Sequence, residues 1–235
     1  MKGGNAARSA IALDGPGAVG KTTVGRLLAQ RLGYLFVDTG NMYRAITWVA
    51  IEEGIDPDDE KALERLAWET KIELVAPGEG DGDEPERVMV AGRDISEDIK
   101  RQEVDRQVSL VAKHPGLRQA LVSQQRELAA GGDVVMAGRD IGTVVLPCAS
   151  LKVYLTASVK ERARRRHLEL RGLGHRAEYS SILEALKRRD KIDSERAASP
   201  LRPAKDAQVV DTDGLGPAEV VDRILTLWQR ARGQG

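Results

Sequence analysis

Apolar residues along this chain come in two patterns. Short unbroken runs, Ala10-Ile11-Ala12-Leu13, Tyr34-Leu35-Phe36-Val37 and Val134-Val135-Met136-Ala137, read as strands buried on both faces, the form taken in a parallel sheet. Leu151–Leu155 and Gln208–Val210 make two more. Between them lie helical stretches at about 23–32, 42–53, 117–130, 159–171, 178–196 and 217–230. Gly33 and Gly54 act as stop signals, and Gly216-Pro217 starts the last helix. Five strands alternating with helices predict an α/β fold built on a five-stranded parallel sheet with right-handed crossovers.

The pattern changes after the second strand. Asp56-Pro57 reads as an N-cap followed by proline at the first helical position, with the helix running to about Glu69. Ile72 and Leu74 alternate with Lys71 and Glu73, and Val88 and Val90 flank Met89, as in half-buried antiparallel strands. An acidic Gly/Pro stretch from Pro77 to Pro85 reads as a mobile hairpin loop, and Gly92-Arg93-Asp94-Ile95 as a hairpin turn. A helix at 102–113 follows, divided from the next by His114-Pro115-Gly116. The expected organisation is a flexible tail at 1–9, a core domain of 10–40 and 114–235, and an α+β insert at 41–113.

Composition narrows the classes. The chain's 235 residues, 41% hydrophobic, suffice for one core domain carrying an insert. Only 3% are aromatic, so aliphatic side chains must fill that core. A net charge of +0 argues against nucleic-acid binding through bulk charge. Arginines outnumber lysines, which suits a phosphate-handling site because the guanidinium fork grips phosphate with two bonds; a solvated Arg/Glu surface has the same bias. Cys148 is the only cysteine, so a reducing compartment is expected. No apolar run approaches the ~18 residues of a membrane span, and the N-terminus lacks a signal-peptide pattern, so a soluble, cytoplasmic protein is expected.

The candidate chemistry centres on Gly15-Pro16-Gly17-Ala18-Val19-Gly20-Lys21-Thr22, which matches the phosphate-cradling loop G-x-x-x-x-G-K-[ST] between a strand and a helix. Its amides, with Thr23 opening the helix, face a nucleotide's phosphates. Lys21 supplies a point charge to the terminal phosphates, and the Thr22 hydroxyl is placed to meet Mg2+. Asp14 and Asp38 are candidates to hold magnesium-bound water or to orient Lys21. Asp38-Thr39-Gly40 reads as a turn at a strand's carboxyl end, where α/β sheets bind ligands. Arg44 falls in the first turn of the helix behind it, where it opposes the dipole; a ligand anion or a plain surface position accounts for that equally. Arg139-Asp140 follows the third core strand, and Arg44 and Arg139 are placed to flank a second phosphate facing Lys21. Arg189 and Arg196 are further candidates. Arg162, Arg164, Arg165 and Arg166 form either a lid over the nucleotide at about 160–177 or a surface helix with Glu161 and Arg165 paired at i,i+4, Arg166 being the first choice for a lid contact.

The loop at 15–22, Asp-Thr-Gly-x-Met-Tyr-Arg at 38–44, Gly-Arg-Asp-Ile-Gly-Thr-Val-Val-x-Pro at 138–147 and Arg-Asp-x-x-Asp-Ser-x-Arg with Ala-x-x-Pro-Leu at 189–201 together resemble the bacterial cytidylate kinases. The resemblance covers about residue 10 to the end. It implies a P-loop kinase fold whose insert binds the nucleoside monophosphate, and transfer of the γ-phosphoryl of ATP, with Mg2+, to CMP or dCMP. Carried over by position, Ser109, Arg118 and Asp140 meet the cytosine. Arg44 and Arg139, with Thr39 and Arg196, hold the acceptor phosphate; Arg189 and Asp193 contact the sugar. Lys21, Arg139, Arg189 and Arg166 are the residues expected to act on the transferring group. Asn41, Lys100 and Cys148 depart from the family pattern. From the residues alone, Asp140 could instead pair with Arg139, Ser109 could be an ordinary helix serine and Arg118 a solvated arginine. The nearest rival is a related kinase acting on UMP, AMP or a small alcohol. A nucleotide-dependent switch is weaker, since Asp211-Thr212-Asp213-Gly214 reads more simply as a turn. An RNA-binding module is weaker still. The expected partners are small nucleotides acting on a monomer.

Overall fold

The computed structural model describes residues 9–75, 86–174 and 176–233. Most of the expected tail and the 77–85 loop lie outside them. The strands β1 (Ala10–Asp14), β2 (Leu35–Asp38), β6 (Val134–Gly138), β7 (Leu151–Thr156) and β8 (Gln208–Asp211) form one parallel sheet in the order β2-β6-β1-β7-β8. Register brings three strand ends level: Asp14 pairs with Gly138, and Asp38 with Ala137. The chain passes from β1 to β2 across the place later filled by β6, then returns to the other side of β1 with β7. The crevice where those connections diverge is where open α/β sheets bind ligands.

Period-two alternation divides the sheet's side chains between two layers. Ile11 and Leu13 pack with Val24 and Leu28 of α1 (Lys21–Leu32) and with Val221, Ile224 and Trp228 of α8 (Pro217–Gly233). Ala10 and Ala12 face the opposite layer, with Val37, Met136, Ile141 and Val145. A second core joins α2 (Thr39–Glu52), α3 (Glu60–Glu69), the antiparallel strands β3 (Ile72–Val75), β4 (Arg87–Val90) and β5 (Arg93–Asp94), α4 (Gln102–Val111) and α5 (Pro115–Leu128). It reaches Leu117, Ala120 and Leu121, beyond residue 113. A small cluster of Ala163, Ile182 and Leu186 joins α6 (Val159–Gly172) to α7 (Tyr179–Glu195).

Three boundaries differ from the sequence expectation, each because of a side chain. Asp38-Thr39-Gly40 is not a free turn: the Asp38 carboxylate accepts the Gly40 N–H at 2.9 Å and caps α2, which begins at Thr39. Arg44 therefore sits in the second turn, clear of the dipole's positive end. Asp56-Pro57 does not start α3. Asp56 accepts the Asp58 N–H, closing a preceding turn, and Asp59 caps the helix through the Ala62 N–H. Pro115 itself opens α5, as a first-turn proline that has no N–H to satisfy. A hairpin turn is present but lies earlier than expected: Ala91 and Gly92 make it, at φ 49° and 75°, while Arg93–Asp94 form β5, paired with Val90 and Met89. Cys148 is exposed, and among the described residues no helix is long and apolar enough to cross a membrane.

Candidate active site

The glycine loop connects the end of β1 to the start of α1. Gly15 adopts φ 152°, and a Cβ there would lie 2.4 Å from the Leu155 carbonyl oxygen, so no larger residue fits. Gly20, at φ 100°, is the N-cap of α1. Gly17 has no left-handed φ; between Gly15 and Gly20 it is Ala18 that takes φ 59°. A Cβ on Gly17 would stand 3.6 Å from both Arg139 Nη2 and Arg189 Cδ, so the loop directly faces these two arginines. The buried Lys21 donates Nζ to the carbonyls of Gly15 and Pro16 at 2.8 and 2.7 Å. Burial, then the nearby Arg139, holds its pKa well below the ordinary lysine value. Burial and Arg139 also bring Arg189 down to about 10. These cations crowd one another, an arrangement that an arriving polyanion relieves.

Around the loop, three polar residues have tasks set by the strand ends. Thr22 Oγ1 donates to Asp38 Oδ2 at 2.5 Å, which places a hydroxyl and a carboxylate together beside the cradle. Asp14 is committed elsewhere. Its two oxygens accept the N–H groups of Ile141 and Gly142, each at 2.8 Å, tying β1 to the π-helical turn Ile141–Val145. Lys21 makes its hydrogen bonds to backbone carbonyls rather than to Asp14. The Thr39 hydroxyl donates to the Ala137 carbonyl at 2.9 Å, so it is spent on fixing α2 to β6 and does not line the cleft. For the phosphate contact expected of it, the hydroxyl would first have to leave that carbonyl.

Burial raises Asp14 from 3.8 to about 6. An acid with a raised folded-state pKa holds its proton longer when folded, so its contribution to stability falls as pH rises from about 4 to 6. Asp14→Asn is expected to remove that slope. Stability of the variant relative to the parent then rises by roughly 1–3 kcal/mol across this window. Denaturant melts at pH 4, 5, 6 and 7 read it directly; a difference that is flat with pH contradicts it.

A cleft of about 2360 Å3 runs from the loop residues Gly17–Thr23 past Asp38, Arg44, Ser109, Arg139, Arg166 and Arg189. Arg139, on the segment leaving β6, donates Nε to Asp193 of α7 at 3.0 Å. Arg44 pairs with Asp105 of α4 and donates Nη1 to the Ile99 carbonyl at 3.2 Å. Asp105 also faces Arg189 Nη1 at 3.7 Å and Arg166 Nη2 at 3.8 Å. Sequence reasoning passed over Asp105. The available signal was helical spacing, since it lies one turn before Ser109 on the same face of α4.

Beneath the cleft lies an ion-pair network. Arg118 and Asp140, both buried, pair at 2.6 Å, with Arg118 stacked 5.0 Å over the Tyr43 ring. Arg196 approaches Asp140 at 4.0 Å and Asp193 at 3.9 Å, and its Nε donates to the Ser199 carbonyl at 2.8 Å. Arg118, Asp140, Asp193 and Arg196 are thus together as expected, yet none lines the cleft. Asp140's partner is Arg118, not Arg139. Arg118 is not on a solvated face. Among the described residues, the buried Nε atoms of Arg118 and Arg189 and Nη2 of Arg196 have no hydrogen-bond partner.

On α6, the arginines divide. Arg165 pairs with Glu161 at 2.9 Å, and it also donates to the carbonyls of Val19 and Thr212. Arg162 is buried, bonded to both oxygens of Asp190 and to the Gly17 carbonyl at 3.1 Å. Arg164 pairs with Glu161. Among the described residues, Arg166 alone of these four reaches across to α4, at Asp105. Asp211–Gly214 is a turn, in which Asp211 accepts the Asp213 N–H.

A sequence model of the cytidylate kinases matches residues 11–230. A cytidylate kinase of Bacillus velezensis is 48% identical over 217 residues, 92% of this chain and 95% of that protein. One from Geobacillus sp. is 49% identical over the same shares. Among solved structures, a shikimate kinase from Bacteroides thetaiotaomicron aligns with TM-score 0.48 at 14% identity, over 94% of this chain and 98% of that one.

Proposed function

The chain belongs to the cytidylate kinase family, and from that premise we propose that it transfers the γ-phosphoryl group of ATP to CMP or dCMP, giving ADP and CDP or dCDP. The observation that carries this reading is the approach of Gly17 to Arg139 and Arg189: a cradle for one phosphate chain opens onto guanidinium groups suited to another. Residues 41–113 take the monophosphate, and residues 160–177 act as the lid. The protein works as a monomer on free nucleotides.

The acceptor oxygen is already ionised, so no covalent intermediate and no strong base is required. Catalysis comes from alignment and charge neutralisation. The loop amides at Gly17–Thr23 hold the ATP phosphates. Lys21 leaves the Gly15 and Pro16 carbonyls for the β- and γ-phosphates, where an anion restores its proton affinity. Arg44 and Arg139 grip the acceptor phosphate, and Arg189 with Arg166 meets the transferring group from the lid side. The Thr22 hydroxyl and the Asp38 carboxylate are hard oxygen donors that fit Mg2+, an ion that takes its remaining ligands from phosphates and water. Held by these two residues, the ion would supply electrostatic neutralisation of the phosphates' negative charge.

Cytosine presents an N4 donor where uracil presents an acceptor. Asp140, held by Arg118 and beside Arg196, accepts from N4, with Ser109 at the cleft wall. Arg189 and Asp193 contact the sugar, Asp193 being held in place by Arg139. A carboxylate facing uracil O4 costs roughly 1–3 kcal/mol, about ten- to a hundredfold in kcat/KM. Asp140→Asn is expected to narrow the CMP-to-UMP ratio by about that factor. Because it weakens a buried ion pair, it should also lower the melting temperature. An unchanged ratio removes Asp140 from base reading. The function itself is tested by initial rates of ADP release with CMP, dCMP, UMP and AMP at fixed ATP. CMP and dCMP are expected to lead; preference for AMP or for a non-nucleotide alcohol contradicts the proposal.

A further inference from the structure

Three arginines assigned above to phosphates converge on a residue to which that mechanism gives no task. We propose that Asp105 occupies, in the nucleotide-free protein, the arginine cradle that receives the acceptor phosphate, and that its carboxylate sets the affinity for monophosphates by competing with them. The inference rests on the reading of Arg44 as part of the acceptor-phosphate grip and of Arg189 and Arg166 as contacts of the transferring group beside it.

The geometry is that of an internal anion. Asp105 Oδ1 is shared between Arg44 of α2 and Arg189 of α7, and Oδ2 faces Arg166 of α6. One carboxylate on α4 therefore ties α2 to the packed α6–α7 pair across the cleft. Its side chain is one-third exposed, at 35%, and it lines the cleft, so an incoming ligand reaches it without unfolding anything. Burial alone would raise its pKa, but Arg44, then Arg189 and Arg166, bring it below the ordinary carboxylate value. It is thus fully charged at neutral pH. A phosphate dianion that takes the same guanidinium groups must draw them from Asp105 and then sit beside a like charge. Both effects weaken binding of anything that carries a phosphate. Neither acts on the nucleoside portion of the ligand. The same carboxylate holds the α2–α4 side to the α6–α7 side while no nucleotide is present, so giving up the arginines is coupled to rearrangement of the cleft.

Calorimetric titration of the full chain with CMP, cytidine and sodium sulfate, at constant ionic strength, tests this. Asp105→Asn and Asp105→Ser are each expected to bind CMP and sulfate about three- to tenfold more tightly, with cytidine affinity unmoved. Asp105→Glu, which keeps the charge, should stay close to the parent. Two variants guard against one that fails to fold, which thermal melts will show. Unchanged or weaker binding of both CMP and sulfate overturns the proposal, as does an equal gain for cytidine. A sulfate gain in a protein that binds no CMP upholds the role of Asp105 and counts instead against CMP as the acceptor.

Discussion

Alanine at position 21 is expected to lower CMP-dependent ADP release by about 10²–10³-fold or more, the usual consequence of deleting a preorganised charge at a reacting group. The effect should fall on kcat, because the loop amides and Thr22 remain to bind the ATP phosphates. The fold should depend on Lys21 much less than the chemistry does. The ammonium is buried, its hydrogen bonds among the described residues go to two carbonyls, and burial works against its charge. The melting temperature of Lys21→Ala is therefore expected to stay within a few degrees of the parent. Near-normal turnover would reject the role of Lys21. A collapsed melt would show that its part is chiefly structural.

Arg139→Ala is expected to be nearly as damaging, about 10²–10³-fold in kcat/KM, with loss in both kcat and KM. Arg139 faces the glycine loop and holds Asp193 at 3.0 Å, so its removal takes a cation from the acceptor phosphate and loosens α7. Lysine should not restore activity. An ammonium cannot bind a phosphate in fork geometry while keeping a second bond to the carboxylate. If Arg139→Lys recovers most of the activity, charge alone suffices and the two-pronged grip is wrong.

The parts of this structure visible in the sequence were those fixed by neighbours along the chain. Unbroken apolar runs gave the central strands β1 and β6, which the parallel sheet buries on both faces, whereas β2 and β8 are edge strands that leave Leu35 and Val209 exposed. The glycine loop was recognisable because its needs, a close approach at Gly15 and a left-handed residue at Gly20, are met within eight residues. Long-range side-chain partnerships were not visible. Asp140 follows Arg139, and sequence adjacency suggested that they could pair. Asp140 instead pairs with Arg118 at the start of α5, and Arg139 turns to Asp193 on α7. The start of α2 was misplaced because the Asp38 side chain turns back onto its own helix while also accepting Thr22. Asp105 is one acidic residue among many on polar helix faces. Only folding brings three arginines from separate helices to it.

The central claim is that two phosphate-bearing ligands meet end to end, one in the glycine loop and the other among Arg44, Arg139 and Arg189. A single molecule joining adenosine and cytidine through a polyphosphate bridge tests it most directly. The account predicts inhibition competitive with both ATP and CMP, and binding far tighter than either alone. Competition with ATP only, with CMP binding undisturbed, would contradict it.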